Sequence, residues 1–388
     1  MDNRYPLATT TWDDAEYAAI QRVVKSGMFT MGKEVQEFEQ RFANFVGSRY
    51  AVMVNSGSSA NLLMIAAMFF KKDSPLKRGD EVIVPAVSWS TTYYPLQQYG
   101  LKVKFVDVDK ATLNFNLTDL REAVNENTRA ILAVNLLGNP NDFSAIKEII
   151  GDRNIVLLED NCESLGATFG GKQAGTFGLM GTFSSFFSHH IATMEGGVLV
   201  TDDDELYHIS LCLRAHGWTR NLPKNNLVCG TKSDNAFEES FRFVLPGYNF
   251  RPLEMSGAIG IEQLQKLPNI ITGRRKNAEK FQVLFKNHPW LDIQEEVGES
   301  SWFGFALVIK PDATINRLEL MQKLGNAHID VRPIVAGNFA KNEVLRWFDY
   351  TTVGNLEAAS YIDEKGFFIG NHHYDVSKEL EYVRSLCD

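Results

Sequence analysis

Ile155-Val156-Leu157-Leu158-Glu159-Asp160-Asn161-Cys162-Glu163-Ser164 reads as an apolar strand that ends in acids and turns toward Gly166. Successive apolar residues without polar alternation suit a strand covered on both faces, as in a parallel sheet. Short β-branched runs of the same kind lie on either side, at Val82 to Val84, Val103 to Val106, Ile131 to Val134, Thr182 to Phe187 and Val198 to Val200. Between them Ala60 to Phe70, Leu117 to Val124 and Phe143 to Ile149 carry helical patterning. That alternation predicts an α/β fold whose mostly parallel sheet has helices on both faces. The rhythm fades after about Leu264, where a charged amphipathic helix over Ile270 to Pro289 and a strand over Trp302 to Ile309 begin a second unit. We expect a large domain over residues 1–265 and a smaller C-terminal α+β domain over 266–388. The polar, Lys- and Asn-rich stretch from Thr219 to Ser240 reads as a long functional loop.

The composition fits that reading and narrows the partners. A 388-residue chain with 44% hydrophobic and 22% charged residues has ample core material and no mark of disorder. Its formal net charge of −9 disfavours nucleic acid or an anionic membrane as partner, because both need a clustered positive field. The longest apolar run, Leu62 to Phe70, is too short to cross a bilayer, and the start from Met1 to Pro6 has no signal-peptide core. A cytoplasmic location is the expectation. Cys162, Cys212, Cys229 and Cys387 are far apart, which points away from a zinc site, a disulfide framework or an iron–sulfur cluster. His372-His373 lacks a third ligand at useful spacing, so no metal is expected.

In open α/β sheets ligands sit beyond the carboxyl ends of the strands. Asn55-Ser56-Gly57-Ser58-Ser59-Ala60-Asn61 opens an apolar helix with small residues. Free N–H groups there suit a phosphate, although an ordinary N-cap is the commoner use. Asp160 at its strand end suits a protonated pyridine nitrogen, whose charge lets the ring draw off electrons; an N-cap is again the plainer alternative. Two further segments stand out: Ser184-Ser185-Phe186-Phe187-Ser188-His189-His190 ahead of Gly196-Gly197, and Gly247-Tyr248-Asn249-Phe250-Arg251-Pro252.

In order and spacing these segments resemble the sugar aminotransferases of the aspartate aminotransferase fold, the branch that works on nucleotide-linked keto sugars. The likeness spans nearly the whole chain. It rests on Ser56-Gly57-Ser58, Pro85-Ala86-Val87-Ser88-Trp89, Glu159-Asp160 with Gly166, Gly171, Gly175 and Gly178, Arg214-Ala215-His216-Gly217, and Tyr248-Asn249-x-Arg251. The resemblance implies the pyridoxal-phosphate-dependent transferase fold: a large domain with a mostly parallel, seven-stranded sheet and a smaller C-terminal α+β domain. It implies pyridoxal 5′-phosphate and pyridoxamine 5′-phosphate as cofactor forms, and a homodimer whose active site is shared across the interface. By the same resemblance Gly57, Ser58 and Ser184 hold the phosphate, and Trp89 lies against the pyridine face. Asp160 pairs with the ring nitrogen, and Asn249 reaches in from a second subunit.

One departure bears on the chemistry. The family's cofactor-linking lysine stands five residues after the strand serine and eight before the second of the paired glycines. Counted from Ser184 and back from Gly197, both rulers land on His189. The nearest lysines, Lys172 and Lys224, are distant along the chain. Imidazole has no primary amine to condense with an aldehyde, yet its ordinary pKa of ~6.5 suits proton transfer. The chain is therefore similar to the dehydratases of that family, which carry histidine here. The resemblance implies glutamate as amino donor and a GDP-linked 4-keto sugar that loses its C3 hydroxyl, with His189 as acid and base.

Glu163 stands where relatives often carry glutamine or histidine near the cofactor's phenolic oxygen; it is either a carboxyl that needs a proton or a solvated acid at a strand end. His216, Arg220 and Arg251 are substrate or structural residues, arginine suiting a pyrophosphate by bidentate pairing and ordinary surface ion pairs equally. Two other functions compete: a sugar 4-aminotransferase using another lysine, and a cofactor- or sugar-binding regulator with a dead centre.

Overall fold

The computed structural model describes residues 4–73 and 76–388, so the start read for a signal-peptide core lies partly outside the described residues. In chain order the strands that matter here are β1 (Tyr50–Val54), β2 (Glu81–Pro85), β3 (Lys102–Val106), β4 (Thr128–Val134), β5 (Val156–Asp160), β6 (Met180–Ser184) and β7 (Gly197–Thr201), then β8 (Leu291–Ile293), β9 (Gly304–Ile309), β10 (Val331–Arg332), β11 (Tyr350–Thr352) and β12 (Gly366–Gly370). The large sheet runs β1-β7-β6-β5-β4-β2-β3-β11. From β6 to β11 every pair is parallel, while β7 is antiparallel to both its neighbours. Two reversals leave β1 pointing the same way as β6. The carboxyl ends of β1, β2, β5 and β6 thus share one edge, and the segments beginning at Asn55, Ala86, Asn161 and Ser185 all start there.

The sheet has eight strands rather than the expected seven, because β11 returns from the C-terminal part to pair with β3, Tyr350 opposite Val103. Its three exposed residues carry no apolar signal, so only the pairing reveals it. β6 ends at Ser184 instead of Phe187. Ser185 gives its amide to Gly196 and its carbonyl to Thr193, which turns the chain into the loop bearing His189. The helix expected over Ile270 to Pro289 starts at Glu254 and ends at Phe285, passing through residue 265 without a break. Pro268 inside it costs one backbone hydrogen bond and hides the continuity.

The helix Gly57–Met68 is apolar on all sides and buried, packed between the large sheet and neighbouring helices. A second core gathers Phe281, Phe285, Phe305, Leu307, Phe367 and Ile369 around the antiparallel sheet β8-β9-β12-β10. The N-terminal segment joins this core: Tyr5 is buried and donates its hydroxyl to the Gly370 carbonyl at 2.6 Å. Among the described residues no helix is long and apolar enough to cross a membrane.

Candidate active site

A cavity of about 600 Å³ opens at the shared edge of the strands. Gly57, Ser58, Trp89, Asp160, Glu163, Ser184 and His189 all line it, although the chain separates the first from the last by more than a hundred residues.

The helix start forms one wall. Ser56 caps it by accepting from the Ser59 amide at 3.1 Å, and the Ala60 amide goes to the Ser56 carbonyl. Among the described residues the amides of Gly57 and Ser58 have no acceptor, the usual state of a first helical turn and one suited to an anion. Gly57 is required by close approach, since a Cβ there would lie 2.7 Å from Ser184 Cβ and 3.2 Å from Cys162 Sγ. The Ser58 hydroxyl donates to Thr91 Oγ1 at 3.0 Å.

Asp160 is buried and anchored from the side. Its Oδ2 accepts from Asn61 Nδ2 at 2.8 Å and from Thr92 Oγ1 at 2.7 Å, while Oδ1 accepts from the Cys162 amide at 3.2 Å. Thr182 and Ser88 bond in turn to Asn61 and Thr92. Trp89, by contrast, is 57% exposed and lines the cavity. A large aromatic surface left uncovered suits a flat partner.

His189 stands on the loop after β6, its amide bonded to the Phe186 carbonyl at 2.9 Å. The Phe303 ring packs edge-on at 5.1 Å and Ser188 Oγ lies 3.5 Å from Nδ1. No protein partner within the described residues reaches Nε2. Burial, and after it the charge of Arg274, push its pKa down to about 4, so the ring is neutral at neutral pH. His190 differs: it is fully buried, with Nε2 on the Ser301 carbonyl at 3.0 Å, a packing role.

Glu163 Oε2 accepts from the Leu137 amide at 3.0 Å. Burial raises its pKa to about 7, the Leu137 bond opposing the rise and the nearby Asp160 charge adding to it. A proton shared near neutrality fits the first of its two readings better than a solvated acid.

The remaining expected residues lie elsewhere. Asn249, His216, Arg220 and Arg251 do not line this cavity. Arg220 and Arg251 stand over the Trp218 ring at 4.4 and 5.9 Å, His216 packs against it at 4.9 Å, and Arg251 Nε donates to Asn249 Oδ1 at 3.0 Å. Lys172 sits against Phe177 and Lys224 pairs with Asp234, and no lysine lines the cavity among the described residues. Among these residues no three His, Cys, Asp or Glu side chains gather as a metal site, and His372 instead bonds Thr9 and the Pro6 carbonyl.

Sequence reasoning missed Asn61 and Thr92 as anchors of Asp160, and Phe303 and Arg332 as cavity walls. Asn61 had a detectable signal, a polar residue one turn into an all-apolar helix; the other three had none.

The residues present fit pyridoxal phosphate: a glycine helix start packed close against Ser184 at the cavity wall, free amides, an anchored carboxylate and an exposed indole. The profile of the DegT/DnrJ/EryC1/StrS aminotransferase family matches residues 11–383. GDP-4-keto-6-deoxy-D-mannose 3-dehydratase of Escherichia coli O55:H7 is 66% identical over 98% of this chain and 99% of its own. A crystal structure of GDP-4-keto-6-deoxymannose-3-dehydratase with a trapped PLP-glutamate geminal diamine superposes with a TM-score of 0.98 at 65% identity, covering 99% of this chain and 100% of that one. A mutant of GDP-4-keto-6-deoxymannose-3-dehydratase with bound GDP-perosamine matches equally, with a TM-score of 0.98, 65% identity and coverage of 99% and 100%.

Proposed function

Because this chain belongs to the DegT/DnrJ/EryC1/StrS aminotransferase family, we propose that it is a pyridoxal-phosphate-dependent 3-dehydratase acting on GDP-4-keto-6-deoxy-D-mannose. Glutamate serves as amino donor, and the product is the GDP-linked 4-keto-3,6-dideoxy sugar. The observation that carries this reading is His189 lining the cavity with Asp160 and Trp89, with no lysine beside them among the described residues.

Bound pyridoxal phosphate, in its amine form, supplies the nitrogen that condenses with the sugar ketone and an electron sink for elimination. Asp160, held by Asn61 and Thr92, keeps a proton on the ring nitrogen. Gly57, Ser58 and Ser184 bind the phosphate, and Trp89 covers the ring face. His189 takes a proton at Nε2 as base and returns it to the departing C3 hydroxyl as acid, a role that needs the ring neutral at the outset. With no amine at position 189, nothing of the chain's own displaces the sugar, so water ends the reaction and ammonia is lost. Glu163, when protonated, donates to the cofactor's phenolic oxygen. Residues 1–265 carry the cofactor, 266–388 close over it, and Asn249 completes the site of a second subunit in a cytoplasmic homodimer.

Purified protein treated with pyridoxal phosphate and borohydride should yield no pyridoxyl-lysine peptide, and with GDP-4-keto-6-deoxymannose and glutamate it should release ammonia and a deoxygenated keto sugar. A stable amino sugar would show transamination instead. His189→Asn should stop turnover and keep the cofactor, and His189→Lys should form a borohydride-trappable imine.

A further inference from the structure

Arg274 lies on the long helix Glu254–Phe285, is 5% exposed and has no carboxylate partner among the described residues. A buried cation without a counter-charge is expensive and calls for a reason. Its Nη1 donates to the Phe303 carbonyl at 2.9 Å and to the Trp302 carbonyl at 3.4 Å, and Asn371 Nδ2 braces the same turn by donating to the carbonyls of Arg274 and Trp302 at 3.1 and 2.9 Å.

The turn so held is strained. Trp302 has φ 49°, left-handed backbone that a bulky residue rarely adopts. It abuts a second such residue: the Phe303 amide donates to the carbonyl of Leu137, itself at φ 53°, at 3.0 Å. The Leu137 amide is the one that binds Glu163. On its other side Phe303 presents its ring to His189 at 5.1 Å, and the Ser301 carbonyl receives His190. Two left-handed residues back to back persist only where the surroundings over-determine them, and such strain gathers at functional sites.

We infer that Arg274 is a positioning residue for the reaction: its guanidinium clamps the Trp302–Phe303 turn, which aims the His189 ring on one side and the Leu137 amide that holds Glu163 on the other. One helix residue thereby sets two cavity groups that come from different loops. The same charge disfavours a second cation beside it, in line with the lowered pKa of His189. His190 follows His189 in the chain, and Asp160, Glu163, Glu195 and Arg332 line the cavity it faces.

The inference rests on the proposed reaction for its kinetic arm alone. In cofactor-free protein, NMR titration of the His189 ring, assigned by its disappearance in His189→Asn, should show a higher midpoint in Arg274→Met and an unchanged one in Arg274→Lys. In the holoenzyme, lysine keeps the charge, but its shorter side chain stops short of the point from which Nη1 reaches both carbonyls, so kcat should fall about tenfold with KM for the sugar unchanged. An Arg274→Lys enzyme with parental kcat, or a folded Arg274→Met protein with parental His189 titration, would overturn it; if the methionine variant does not fold, the lysine variant decides. Should the parent fail to dehydrate the sugar, the reaction is wrong while the titrations still judge whether Arg274 acts on His189.

Discussion

Asn61 Nδ2 donates to Asp160 Oδ2 at 2.8 Å, joining the first turns of a buried helix to the end of a central strand. Thr92 donates to the same oxygen at 2.7 Å, so two neutral donors hold that oxygen, and among the described residues no cation pairs with its charge. Asp160→Asn removes that charge and sets an amide against donors. Turnover should drop by about 100-fold or more, as for loss of a preorganised electrostatic partner. Single-turnover ammonia release checks this, and a loss below threefold would detach Asp160 from the chemistry.

Glu163 links stability to pH in a direction opposite to most carboxyls. Its folded pKa of about 7 lies above the ordinary ~4.3, so the folded chain holds a proton that the unfolded chain has released in between. The stability from this group is present below the lower value and lost as pH rises through 7. Glu163→Gln without cofactor should match the parent near pH 4 and exceed it at pH 8 in urea unfolding, by up to about 3–4 kcal/mol for a shift of this size. A gap that does not change with pH would show that the side chain stays ionised.

Gly57→Ala should disable cofactor binding before it disables folding. The new methyl would meet Ser184 Cβ at 2.7 Å, and moving that serine costs roughly 1–3 kcal/mol while filling the proposed phosphate seat. Spectroscopic titration with pyridoxal phosphate should show Kd raised about tenfold or more. Wild-type affinity would place the phosphate elsewhere.

Asn249 touches Arg251 in its own chain and does not line that chain's cavity. If it completes a second subunit's site, inactive His189→Asn and inactive Asn249→Ala proteins, unfolded and refolded together, should recover activity, because one site of each mixed dimer is whole. No recovery with mixed dimers verified by mass would remove Asn249 from the shared site.

Much of the fold was legible from periodicity, because a strand buried on both faces reads as a near-continuous apolar run; the middles of β2, β4 and β5 announce themselves this way. β11 did not, since Tyr350–Thr352 is short and exposed and owes its existence to a free edge on β3. His189 was legible because spacing from Ser184 and Gly197 survives as loop geometry: both residues pair across β6 and β7, which closes the loop to a set length. The lowered pKa of its ring, the raised pKa of Glu163 and the partnering of Asp160 by Asn61 and Thr92 were not, because each depends on groups from other helices and loops.

The amino-acid order alone determined which chemistry is possible, since the absence of an amine at position 189 is a matter of covalent structure that no folding alters. Only the tertiary structure decided how that imidazole is charged and aimed. Phe303 and Arg274 arrive from the far end of the chain, and proximity between distant segments is set by packing, which leaves no local mark in either one.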